Sequence, residues 1–313
     1  MGVWIDTDMG FDDIAAVLVV GHSRLQIDGI SLVFGNAPLE QVRRNAAGAV
    51  KAFGWKFPIY AGRDKPVLAE IETATCILGE TGIPTLGRTL PEGVDVVQNN
   101  AFLALCQWLE NTQGEKRILA LGPLTNIAAL ALARPDLATQ IDELVWMGGG
   151  ATKGNHTASA EFNALADPEA LGIVLAHDLP LKMVELDFCR KILASPEDVV
   201  PIRVAGGTNA ELLADMTGGF INIAISRGRS AMALYDPAAA VAFAYPDLVH
   251  FEPAFIGVEL TGTLTRGRTV VETRATHAKF NASYAVARDG ADGDAKAILD
   301  IILDALTTEA AKA

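Results

Sequence analysis

Four carboxylates, Asp6, Asp8, Asp12 and Asp13, fall within eight residues directly after the apolar run Val3 to Ile5. Crowded on one loop they repel one another unless a cation neutralises them, so the pattern calls for a hard divalent metal held through oxygen. Capping of a helix N-terminus by Asp12 or Asp13 accounts for one or two of these charges and leaves the others unexplained. The spacing is not that of an EF-hand, which needs glycine sixth and a bidentate Glu twelfth, where this chain has Phe11 and Val17. A D-x-D phosphatase nucleophile continues to Thr or Val at the position held here by Gly10, so that reading is remote.

Such a cluster needs a strand to present it and a helix to carry the chain away. Short apolar runs alternate with longer amphipathic ones: Val3 to Ile5 before a helix from about Asp12, and Gly29 to Phe34 before a helix over Leu39 to Phe53. Ile118 to Leu121, Leu144 to Met147 and Leu181 to Leu186 repeat the rhythm, which predicts an α/β fold with a largely parallel open sheet. Two strand-like runs, Phe255 to Thr261 and Thr269 to Arg274, follow without a helix between them and predict a hairpin or a second small sheet. With no repeat or linker composition, residues 1–313 read as one domain.

Ligands of open parallel sheets collect at the carboxyl ends of strands. Four loops fall there: residues 6–13, Phe34-Gly35-Asn36, the run from Leu121 to Asn126, and the run from Met147 to Gly150. Half the 313 residues are apolar and the formal net charge is -13, which supplies a deep core and argues against a nucleic-acid backbone as partner. Cys76, Cys106 and Cys189 are widely separated, consistent with a reducing cytosol. No run is long enough for a membrane helix, and Ile14 to Val20 lacks the flanks of a signal peptide.

The opening D-T-D-M-G-F-D-D resembles the nucleoside hydrolase signature D-x-D-P-G-x-D-D, departing only at Met9. The resemblance continues in order through Val33 to Asn36, Gly122 to Asn126, Met147 to Gly150, Gly154-Asn155, Ala160 to Asn163, and Asp236-Pro237. Ordered weak motifs across most of the chain are more specific than any one of them. The resemblance implies a single Rossmann-like nucleoside hydrolase fold and cleavage of ribonucleosides to ribose and base. It also implies a calcium ion on Asp8, bidentate Asp13, Asp236 and the Leu121 carbonyl, with two ribose hydroxyls and one water completing the shell.

On that resemblance Asp12 is the base that takes the water proton, and Asp6 braces the loop. Asn36, Met147, Asn155, Glu161, Phe162 and Asn163 would surround the ribose as oxocarbenium character develops. Taken singly, the amides are ordinary loop residues and Met147 an ordinary core residue; the ordered match favours sugar contact. Homodimers or homotetramers are implied as well.

The leaving-group half departs from the pattern. Tyr235 stands where the family has His before its last aspartate, and no His lies near residue 78. Tyr235, Arg227 or His156 could assist the departing base: Arg227 lies two helical turns before Tyr235 on one expected helix, and His156 follows Asn155. A surface salt bridge for Arg227 and an exposed loop position for His156 remain the plain alternatives. For the whole chain the alternative is a nucleoside or pentose binder without turnover.

Overall fold

In the computed structural model, which describes residues 2–286 and 292–313, β1 (Gly2–Thr7) turns Val3 and Ile5 into one apolar layer and Trp4 into the other. That two-sided burial is what a central parallel strand requires. β2 (Gln26–Leu32), β3 (Ile59–Ala61) and β4 (Gln98–Asn99) continue the sheet on one side of β1. β5 (Arg117–Ala120), β6 (Glu143–Met147) and β7 (Leu181–Val184) continue it on the other. All these pairings are parallel. The chain therefore reverses its direction of growth at β1, and the crevice beyond that strand's carboxyl end is the expected ligand position.

β8 (Leu193–Ala194) and β9 (Met232–Ala233) form a separate antiparallel pair that the sequence pattern did not announce. β10 (His250–Val258) pairs antiparallel with β11 (Thr269–Glu272) and with β12 (Ala282–Val286), and β12 lies parallel to β7. The two late runs thus form a hairpin, and it extends the main ten-stranded sheet through β12 rather than making a second one.

Helix Phe11–His22 is apolar around nearly its whole circumference, because it lies between the sheet and the helices Tyr235–Ala244, Ala210–Ile225 and Asp292–Ala310. Its long contact with Tyr235–Ala244 joins segments more than 200 residues apart in the sequence. Asp12 and Asp13 sit in the first turn of one helix and Asp236 in the first turn of the other, so packing the two helices brings Asp236 to a pair of carboxylates more than 200 residues earlier in the chain. Among the described residues no helix is long and apolar enough to cross a membrane.

Candidate active site

The loop after β1 is built around Asp13. Its carboxylate accepts from Thr7 Oγ1, from the Gly10 amide at 2.8 Å, from the Asp8 amide at 3.2 Å and from Asn36 Nδ2 at 2.9 Å. Asp8 is held by Asn36 alone: the Asn36 amide donates to Oδ2 at 2.6 Å and Nδ2 to Oδ1 at 2.9 Å. One side-chain amide therefore clamps both carboxylates. Met9 has φ +45°, a value that a proline ring cannot take, so this chain closes the turn in a way the proline of the family signature does not permit.

Asp6 points to the opposite face of β1. It accepts from Ser31 Oγ on β2 and from Asn126 Nδ2 at 2.7 Å, tying the first strand to the second and to the first turn of helix Thr125–Ala133, while its Oδ2 is buried without a partner among the described residues. Burial pushes its carboxyl up to about 7, against the lowering effect of those two donors.

Oxygens of Asp12, Asp13 and Asp236 lie within 4.8 Å of one another and could hold a metal ion. No Lys or Arg ion-pairs with them among the described residues, and Asp8 adds a fourth carboxylate beside Asp13. Burial, followed by the charge of Asp13, raises Asp12 to about 8. Asp236 is driven well above the usual carboxylate range by burial and then by Asp12, Asp13 and Asp8. Asp8 is driven up by burial and by Asp13, and Asp13 by burial against its own donors. An all-oxygen set this crowded and this dry suits a hard cation.

Above the carboxylates a cavity of about 670 Å³ opens to solvent. All the residues singled out from the sequence border it except Asp6 and Asp13, which lie behind its wall. Asn163 Nδ2 donates to the carbonyls of Leu121 at 2.8 Å and Met147 at 3.0 Å, so it fixes the ends of β5 and β6 beside the aspartates. Glu161 caps helix Phe162–Ala166, accepting from the Asn163, Ala164 and Gly149 amides at 2.8–3.0 Å. Burial raises it to about 7. Asn155 accepts from the Phe162 amide at 3.0 Å and keeps its NH2 free of any bond among the described residues. Trp146, facing away from Met147, is buried and donates to the Gly122 carbonyl at 3.0 Å.

At the mouth the arrangement differs from the sequence expectation. Arg227 and Tyr235 do not share a helix face: helix Ala210–Ile225 stops first, Gly228 turns at φ +75°, and β9 intervenes. Both still line the cavity. His156 is engaged by Glu72, 2.6 Å from its Nε2, and its ring lies 5.1 Å from that of Phe162. Burial pushes the Tyr235 hydroxyl up to about 12. Sequence reasoning assigned no role to Thr7, Ser31 or Asn126, although Thr7 and Asn126 sit inside the family motifs. It also missed Phe220, Ile223 and Met232, which line the cavity.

Close approach explains one glycine. A Cβ on Gly35 would lie 2.0 Å from Asp8 Oδ2, so Gly35→Ala must push the carboxylate aside. Because a misplacement of about 1 Å costs on the order of 10²-fold, this variant is expected to lose about that much kcat/KM while far-UV circular dichroism stays unchanged. Full activity in the alanine variant would show that Asp8 has freedom to move.

The family model for inosine-uridine preferring nucleoside hydrolase matches residues 3–296. The chain belongs to that family. It is 33% identical over 274 residues to an inosine-uridine preferring nucleoside hydrolase of Crithidia fasciculata, covering 86% of this chain and 87% of the relative. It is 31% identical to a non-specific ribonucleoside hydrolase of Salmonella paratyphi B, covering 91% and 92%. The solved purine-preferring ribonucleoside hydrolase of Gardnerella vaginalis superposes with a TM-score of 0.89 at 26% identity over 99% of both chains. A nucleoside hydrolase of Bacillus anthracis, 20% identical with a TM-score of 0.74, shares the fold over 100% of this chain and 99% of its own. This nucleoside hydrolase is an N-glycosyl hydrolase, and its mostly parallel sheet flanked by helices is the family's.

Proposed function

We propose that this enzyme hydrolyses the N-glycosidic bond of ribonucleosides with one calcium ion bound by Asp8, Asp13, Asp236 and the Leu121 carbonyl. The observation that carries the reading is the meeting of Asp12, Asp13 and Asp236 under a cavity of nucleoside size. When bound, the cation supplies Lewis-acid polarisation of water and a grip on the ribose diol. Asp12, held near neutrality in its affinity for a proton, accepts the proton of the attacking water. Asn155, Glu161 and Asn163 contact the ribose, with Met147 and Phe162 packing beside it, and Asn36 keeps Asp8 and Asp13 aimed. Asp6 braces the loop from the far face of β1.

Electron density leaves the sugar with the base, so the group facing the base must receive negative charge. Tyr235 and Arg227 border that region; His156, committed to Glu72, serves the wall rather than the base. Homo-oligomerisation and a cytosolic location belong to the same proposal.

Ribose release from a panel of purine and pyrimidine ribonucleosides, with and without chelator, tests it. Ribonucleosides are expected to be cleaved in a calcium-dependent manner and 2'-deoxynucleosides to react far more slowly. Tight binding with no ribose released from any nucleoside would mean a binding protein instead.

A further inference from the structure

The residues lining the cavity are sorted by charge. Its acids, Asp8, Asp12, Glu161 and Asp236, are all buried on the floor, whereas Lys153, Arg227 and Arg229 stand exposed at the mouth. In a chain whose net charge is -13, that is a local reversal of sign. None of these three cationic side chains has a hydrogen-bond or ion-pair partner among the described residues, and the acids that line the cavity are the buried ones. A fourth cation, Arg190, supports the arrangement: it is neutralised by Asp187 at 2.8 Å and donates to the carbonyls of Lys153 at 3.2 Å and Gly154 at 2.8 Å, fixing the loop that carries Lys153. Arg227 and Arg229 flank Gly228 on the short turn leading to β9 and Tyr235.

We propose that Lys153, Arg227 and Arg229 form an anion-accepting rim that selects ribonucleosides whose base carries a negative charge, a ring carboxylate above all. The inference rests on the hydrolase reading and adds the substrate class to it. Guanidinium groups bind a carboxylate in a fixed fork and stabilise an anion without surrendering a proton. Among the described residues the one lining imidazole, that of His156, is already engaged by Glu72. In the step itself the C1'–N bond breaks with its electron pair passing to the base nitrogen, the water oxygen bonds to C1', and Asp12 takes the water proton. The base departs as an anion against the arginines and takes a proton from solvent afterwards.

Orotidine and uridine differ by one ring carboxylate and form the test pair. Uridine 5'-phosphate places the charge at the other end of the nucleoside, and p-nitrophenyl riboside probes the ribose half without a base. The expected kcat/KM ratio of orotidine to uridine is about tenfold or more in favour of orotidine and falls with ionic strength. An Arg227→Gln/Arg229→Gln double variant is expected to bring that ratio down about tenfold, and Lys153→Gln by less, with melting temperatures unchanged for these exposed positions. Equal or better turnover of uridine, a preference for the 5'-phosphate, or a ratio indifferent to the substitutions would overturn the rim. Failure to cleave p-nitrophenyl riboside as well as every nucleoside would sink the hydrolase reading and the rim with it.

Discussion

Asp12→Asn is expected to lower kcat for ribonucleoside hydrolysis by about 10²–10⁴-fold, the range for losing a positioned general base, while dialysed protein still carries one calcium per chain. Asp13→Asn is expected to lose the ion together with the activity. The distinction is a sharp one because Asp12, Asp13 and Asp236 lie within 4.8 Å and any of the three has the geometry of a ligand. What separates Asp12 from Asp13 is support. Asp13 is fixed by four donors and Asp8 by two, which suits the ligand role proposed for them. Among the described residues Asp12 accepts from no side chain, only from the backbone amides of Asp12 and Asp13, which leaves it accessible to a water. Calcium content by atomic emission on both variants decides the matter: loss of the ion from Asp12→Asn would make Asp12 a ligand and leave the base unassigned.

Stripped of divalent ions, the protein is expected to be more stable at pH 6 than at pH 8.5. Asp12 is raised to about 8 and Asp6 to about 7, and Asp8 and Asp236 are raised as well by burial and by their neighbours. For groups whose folded pKa lies above the unfolded one, the folded state binds the extra protons. The stabilisation is complete below the unfolded value near 4 and is lost as pH rises through about 7 to 8. A tenfold gain in proton affinity on folding corresponds to about 1.4 kcal/mol, which solvent screening and mutual repulsion among the carboxylates reduce, so a fall of several degrees in Tm across that window is the expected scale. Added calcium should reverse the loss at pH 8.5 and do less at pH 6, where it competes with protons. Scanning calorimetry in chelator and in calcium measures both; a Tm flat across pH 6–8.5 in chelator would mean that the carboxylates are relieved in some other way.

The parts of the site that could be read in advance are those where chemistry forces an unusual residue pattern at a strand end. Four aspartates after Val3 to Ile5, and Asn163 two residues past Glu161, are costly to bury without a purpose, and the switch of sheet direction at β1 explains why they meet. Phe220, Ile223 and Met232 were not legible because an apolar residue that lines a cavity has the same periodicity as one that fills a core. Thr7 and Ser31 were hidden for another reason: a hydroxyl that donates to a buried carboxylate looks in sequence like any strand hydroxyl. The expected shared face of Arg227 and Tyr235 failed because Gly228 ends the helical continuity, although both reach the same wall by separate routes. At fold level the βα alternation was plain. β8 and β9, two residues each, carry too little pattern to detect, and joining β10 to β7 through β12 depends on pairings distant in sequence.

The contact between helices Phe11–His22 and Tyr235–Ala244 also has a bearing on how the enzyme is made. During synthesis Asp8 and Asp13 leave the ribosome more than 200 residues before Asp236, so the nascent chain exposes an acidic loop that lacks its distant partner for most of translation. Contacts of such sequence separation form late in folding. On the ligand set proposed above, a ribosome stalled before Asp236 is released would hold a chain with weak affinity for calcium, and tight uptake of the ion would report that Asp236 has been delivered and the two helices have docked.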